Sequence, residues 1–136
     1  MSVGKLYLIP SFLGEDNTAI IPDHIKTCVQ ELNEFIVEDA RTARRYLRAI
    51  GSKKNFDTEV TMHELDKHAK QQNCQLLLQN VLRGINAGVI SEAGNPCIAD
   101  PGSEVVAYAH LYNVEVIPLV GPSSILLALI ASGFNG

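Results

Sequence analysis

Short apolar, β-rich runs alternate with helix-period segments from one end of this chain to the other, and that alternation limits the fold more than any other feature. Strands are expected at Lys5–Ile9, Glu34–Glu38, Ala87–Ser91 and Val114–Leu119, with a weaker one at Asp57–Met62. Between and after them, helices are expected at Pro22–Leu32, Ala40–Ile50, Leu65–Arg83, Ser103–Tyr112 and Ser123–Ser132. Pro22 suits a first helical turn, and Gly51 suits the position just past a helix end. Strands separated by helices, several of them apolar almost throughout, predict an α/β fold: a five-stranded, mainly parallel sheet with helices on both faces. The 136 residues suffice for one domain with a real core. No repeat or linker interrupts them. The last residues, Gly133-Phe134-Asn135-Gly136, read as a turn leading onward, so further protein is expected to follow.

In a parallel sheet all carboxyl ends lie on one edge, and four unusual loops fall at such ends. They are Pro10-Ser11-Phe12-Leu13-Gly14, the pair Glu38-Asp39, the long Gly/Pro-rich run Ser91–Gly102, and Val120-Gly121-Pro122-Ser123-Ser124. Tight βα turns use Gly and Pro for purely structural reasons. Four such loops on one edge predict a ligand cleft there.

Each loop also has a plainer reading. Ser123 or Ser124 caps the last helix, or the free N–H groups there bind a carboxylate or a ribose hydroxyl. Glu38 and Asp39 either cap the second helix or supply a general base. Arg41, Arg44, Arg45 and Arg48 fall at i, i+3, i+4 and i+7 on one helix face, followed by Lys53 and Lys54. Such a stripe is either a solvated face or a track for a phosphate backbone. His63 after a strand reads as structural. His24, His68 and His110 read as surface positions.

Other classes are disfavoured. No G-x-G-x-x-G follows the first strand, and there is no P-loop and no G-x-S-x-G elbow. The net charge of −4 gives no global bias toward nucleic acid. Cys28, Cys74 and Cys97 are odd in number and widely spaced, which predicts reduced thiols and a cytoplasmic setting rather than a disulfide frame or a metal site. No apolar run is long enough to span a membrane.

The motifs Ser91-Glu92-Ala93-Gly94-Asn95-Pro96-x-Ile98-x-Asp100-Pro101-Gly102, Val114-x-Val116-Ile117-Pro118-Leu119-Val120-Gly121-Pro122-Ser123-Ser124 and Ala128–Gly133 resemble the tetrapyrrole methylase superfamily. Leu6–Gly14, Glu38–Arg41 and His63-Glu64 agree in order and spacing. Within the superfamily they are most similar to the methyltransferases acting on a cytidine ribose 2′-oxygen of small-subunit ribosomal RNA. The resemblance implies the amino-terminal domain, residues 1–136, of a two-domain S-adenosylmethionine-dependent enzyme, commonly a homodimer. A carboxy-terminal domain that closes over the cofactor is not part of this chain.

On that resemblance, Pro10, Ser91, Glu92, Ala93, Gly94, Asn95, Pro96, Ile98, Gly121, Pro122, Ser123 and Ser124 would contact the cofactor. Asp39, Asp100 and Glu38 are the candidates, in that order, for a carboxylate that helps the nucleophile. Arg41, Arg44, Arg45 and Arg48 would meet RNA. The chain departs from the usual ribosomal pattern at Glu92 (commonly Asp), Asn95 (Thr), Phe12 (Pro) and Ala40 (Thr). The G-D-P of the corrin-pathway enzymes is absent, which disfavours a tetrapyrrole substrate. Three readings stay open beside ribosomal RNA: another methylated small molecule, a non-catalytic half-domain or dimerisation module, and a generic nucleotide-binding domain.

Overall fold

A computed structural model describes residues 2–14, 16–97 and 101–136. Its strands are β1 (Lys5–Ile9), β2 (Glu34–Val37), β3 (Thr61–Glu64), β4 (Ala87–Ile90) and β5 (Glu115–Pro118). They form one sheet in the order β3-β2-β4-β1-β5, with every pairing parallel. The central strand β4 is buried along its whole length, as an apolar run covered on both faces must be.

The strand periodicity of two divides the core into two layers. Ile9, Phe35, Val37 and Ile90 point toward α1 (Asp23–Gln30) and α2 (Ala40–Ala49). Leu6, Ile36, Ala87 and Val89 point to the other side, against α3 (Cys74–Leu77), α4 (Gln79–Leu82) and α5 (Gly102–Leu111). The last helix, α6 (Ser124–Ser132), buries no residue at all. Among the described residues no helix is long and apolar enough to cross a membrane.

Two expectations are corrected. The single helix expected over Leu65–Arg83 is a loop followed by two short helices. Several of its polar side chains bond to backbone. Asp66 Oδ1 accepts from His68 N (2.9 Å), and Gln72 both accepts from Asp66 N (3.0 Å) and donates to Asp66 O (2.7 Å). Asn73 Oδ1 then accepts from Leu76 N and starts α3 afresh. Such side chains favour turns and caps over helix interiors.

The third strand is Thr61–Glu64 rather than Asp57–Met62, so His63 lies inside it and not after it. There His63 Nε2 meets Glu34 Oε1 at 2.7 Å, and Asn80 Nδ2 donates to the same oxygen at 2.8 Å. The buried Glu34 carboxylate thus has its partners, and His63 is a structural residue.

Candidate functional site

The four loops singled out in the sequence do gather on the carboxyl edge of the sheet, and they are bonded to one another. Ser11 N donates to Gly94 O (2.9 Å) and Gly94 N donates back to Phe12 O (3.0 Å), zipping the β1 loop to the long loop after β4. Ser11 Oγ reaches Ser91 O (3.1 Å), and Ser91 Oγ lies 3.2 and 3.1 Å from the carbonyls of Ala93 and Gly94. Asn95 Nδ2 donates to Pro122 O at 2.7 Å, joining the long loop to the turn after β5. Glu92 N donates to Glu38 Oε2 at 2.7 Å, joining it to the end of β2.

Two glycines make this closeness possible. Gly94 has φ of 65°, a backbone state that side chains disfavour. A Cβ on Gly121 would come within 2.4 Å of both Cβ and Cγ of Pro10. The buried Tyr46 on α2 fixes the β1 loop from beneath. Its hydroxyl donates to Pro10 O at 2.6 Å, and its ring meets Phe12 edge-on at 5.1 Å. Burial pushes the Tyr46 phenol well above its ordinary value, so it stays a donor.

Beside this rim lies a cavity of about 490 Å³, between the β1 loop, the start of α2 and the end of β4. That is a size that suits a small ligand. Ser91 and Glu92 of the long loop and Ser11 and Phe12 of the β1 loop line it; so do Arg41 and Arg45, expected on an RNA-facing stripe, and Asp16, Thr42, Tyr46 and Ile90, which were not foreseen. One signal was available for Tyr46: it shares a helical stripe with Ala43, Leu47 and Ile50, and a phenol on a core-facing stripe needs an acceptor. Gly121, Pro122 and Ser123 line no part of this cavity. They stand half-exposed at the other end of the rim, on an open wall.

The charged candidates divide by what already holds them. Asp39 is the N-cap of α2, accepting from Thr42 N at 3.0 Å. That bond holds its carboxyl below the ordinary value, which makes it a weaker base than the sequence reading supposed. Glu38 spends one oxygen on Glu92 N. The Glu92 side chain turns to Lys67 Nζ at 2.9 Å, and that bond, with Glu38 and Asp39 farther off, raises the Lys67 amine. Asp100 and Ile98 lie outside the described residues.

In the arginine stripe, Arg45 is paired with Asp16 (2.8 Å). Arg48 donates to Ser52 O (2.9 Å) and lies over the Phe56 ring (4.1 Å). Among the described residues no hydrogen bond or ion pair engages the guanidinium of Arg41 or Arg44. Ser123 caps α6 by accepting from Leu126 N at 3.2 Å, and Ser124 is the first residue of that helix. No group of three or more His, Cys, Asp or Glu side chains among the described residues is placed to hold a metal. Cys28 and Cys74 are free thiols.

An open parallel sheet whose loops are knitted along its carboxyl edge defines a ligand-binding α/β domain. Three curated relatives narrow the class. Proteins named ribosomal RNA small subunit methyltransferase I from Vibrio cholerae (31% identical over 94% of this chain), Escherichia coli O157:H7 (31% over 97%) and Bacillus subtilis (30% over 96%) align with it. They are homologues of the chain over nearly all of its length, in line with the resemblance of its motifs to the tetrapyrrole methylase superfamily. The chain spans less than half the length of each, 42%, 43% and 42% respectively. No family model matches it.

Proposed function

We propose that this chain is the amino-terminal half of an S-adenosylmethionine-dependent methyltransferase that acts on a cytidine ribose 2′-hydroxyl of small-subunit ribosomal RNA. The observation that carries the reading is the zipped rim, in which Ser11, Gly94, Asn95 and Pro122 are bonded into one wall. The names of the relatives supply the substrate class.

The residues present suit the cofactor. The cavity offers the Arg41 guanidinium for a carboxylate and the Asp16 and Glu92 carboxylates for ribose hydroxyls or a positive sulfonium. The Gly121-Pro122-Ser123 turn leaves backbone open on the same wall. When bound, the cofactor supplies a methyl group already activated by its sulfonium. This chain's residues then have three tasks: align the acceptor oxygen with that methyl, exclude water, and hold the proton that the hydroxyl loses. Tyr46 and the Ser11–Gly94 bonds keep the wall rigid, so alignment costs little at the moment of reaction. Glu38, whose second oxygen is uncommitted among the described residues, is a better proton acceptor than the capping Asp39.

The second wall is proposed to come from a carboxy-terminal domain, since the relatives are more than twice as long as this chain. The unburied apolar residues of α6, among them Leu126, Leu127 and Ile130, favour a cover of that kind. A homodimer and a cytoplasmic location accord with the same reading.

The test is methyl transfer from labelled cofactor to small ribosomal subunits by the full gene product. Label on the 2′-oxygen of a cytidine is expected. Transfer to a small molecule but not to RNA would replace the substrate, and no cofactor binding at all would leave only a structural module.

A further inference from the structure

The far end of α2, away from the rim, carries a second cleft of about 550 Å³. Arg44, Arg48, Lys53, Lys54 and Phe56 line it, opposed by the carboxylates of Asp57 and Glu59. The cations here are not equivalent. Lys54 is spent: its ammonium donates to Leu32 O (2.8 Å) and Asn33 Oδ1 (2.7 Å), and burial lowers its amine. Glu59 accepts from Asn55 N at 2.5 Å, which turns one carboxylate to a structural task. Arg44 and Lys53 are exposed, and among the described residues no hydrogen bond or ion pair engages their side chains.

Arg48 has a third character. Its guanidinium lies 4.1 Å over the centre of the Phe56 ring, while Nη1 donates to Ser52 O at 2.9 Å. Phe56 packs against the main core, so the platform beneath Arg48 is fixed. The result is a planar cation seated over one aromatic ring, on an exposed residue. A guanidinium plane of that kind stacks on an unpaired base, and flanking free cations take the adjoining phosphates.

We propose that this cleft is a subsite for single-stranded RNA, with a base stacked on the free face of Arg48 and phosphates held by Arg44 and Lys53. The inference rests on the RNA reading above and deepens it. Arg41 opens onto the rim cavity, and Arg48 lies seven residues farther along α2, about 10 Å along the axis. One strand can thus run from the reacting ribose along the helix to the stack. Arg45, already paired with Asp16, takes no part. The stripe is therefore not four equal phosphate contacts.

The probe is a short fluorescein-labelled oligocytidylate, titrated at several salt concentrations into the full gene product. The same proteins are titrated with S-adenosylhomocysteine by calorimetry. Exchanging Arg44→Ala and Lys53→Ala together should weaken RNA binding. It should also flatten the log-affinity against log-salt slope by about 1.4, two contacts at about 0.7 each. Arg48→Lys keeps the charge and loses the plane, so affinity should fall about tenfold with the slope unchanged. Thermal melting of each variant checks that α2 stays folded, and affinity for S-adenosylhomocysteine should not move. If the oligonucleotide binds all variants as it binds the unaltered protein, the subsite is refuted while the methyltransferase reading stands. If the unaltered protein binds S-adenosylhomocysteine but shows no salt-dependent RNA binding, the RNA reading fails, and the subsite with it.

Discussion

The rim and the last helix are built on opposite plans. At the rim, Ser11, Asn95 and the backbone of Gly94 bond to a neighbouring loop, and the Ser91 carbonyl accepts from Ser11 across the same gap. In α6 the sequence Ser-Ile-Leu-Leu-Ala-Leu-Ile-Ala-Ser is apolar nearly all round, and none of it is buried. Helices of that composition are normally interior. The rim is joined by this chain's own residues, whereas α6 is left for the proposed second domain to cover. The difference separates what the described residues complete from what that domain would add.

The contrast is broken most directly at Gly121. In Gly121→Ala the new methyl overlaps the Pro10 ring, and a ring cannot rotate aside as a flexible side chain can. Urea denaturation should show a loss of about 1–3 kcal/mol, accompanied by weaker cofactor binding. Unchanged stability would mean that the two loops do not touch in solution.

Tyr46→Phe comes next. It leaves Pro10 O without its buried donor but keeps the ring against Phe12, so the expected cost is about 1–2 kcal/mol. An increase in the cofactor KM with kcat nearly preserved would mark Tyr46 as a positioning residue for the wall. Equal losses in both would argue against that role.

A smaller effect is expected at Asp39. The Thr42 amide holds its folded-state pKa below the ordinary 3.8, so the carboxylate's contribution is complete above that value. It fades as pH falls through the folded value. The advantage of the native chain over Asp39→Asn, measured by denaturation at neutral pH, should therefore shrink steadily as the pH is lowered below 3.8.

Smallest of all is the change expected at α6. Leu126→Ser with Ile130→Ser should alter the stability of this 136-residue chain by no more than about 0.5 kcal/mol, because both side chains already face solvent. Binding of a hydrophobic dye should fall. A large loss of stability would show that α6 packs on this domain after all.

Much of this was legible in the residues because local signals agreed. The run Lys5–Ile9 is the strand β1, with both ends as expected, and the arginine-bearing helix differs from α2 by one residue at its end. Convergence of the Gly/Pro loops follows from parallel strands alone. The failures have common physics. The helix expected over Leu65–Arg83 was lost because Asp66, Gln72 and Asn73 bond to backbone, a choice that apolar spacing does not report. The division within the arginine stripe was not legible because helical spacing reports neither the pairing of Arg45 with Asp16, far back in the chain, nor the contact of Arg48 with Phe56 in the loop beyond the helix. Phe12 stands where the ribosomal pattern has proline. The T-shaped contact with Tyr46 supplies what the proline would have fixed.

Hydrogen–deuterium exchange on the full gene product, with and without S-adenosylhomocysteine, tests the central claim that the knitted loops are one wall of a cofactor site. Amides in residues 10–14, 91–97 and 120–123 are predicted to slow together on binding. Protection confined to the groove between residues 71–75 and 104–112, with the rim unchanged, would contradict it.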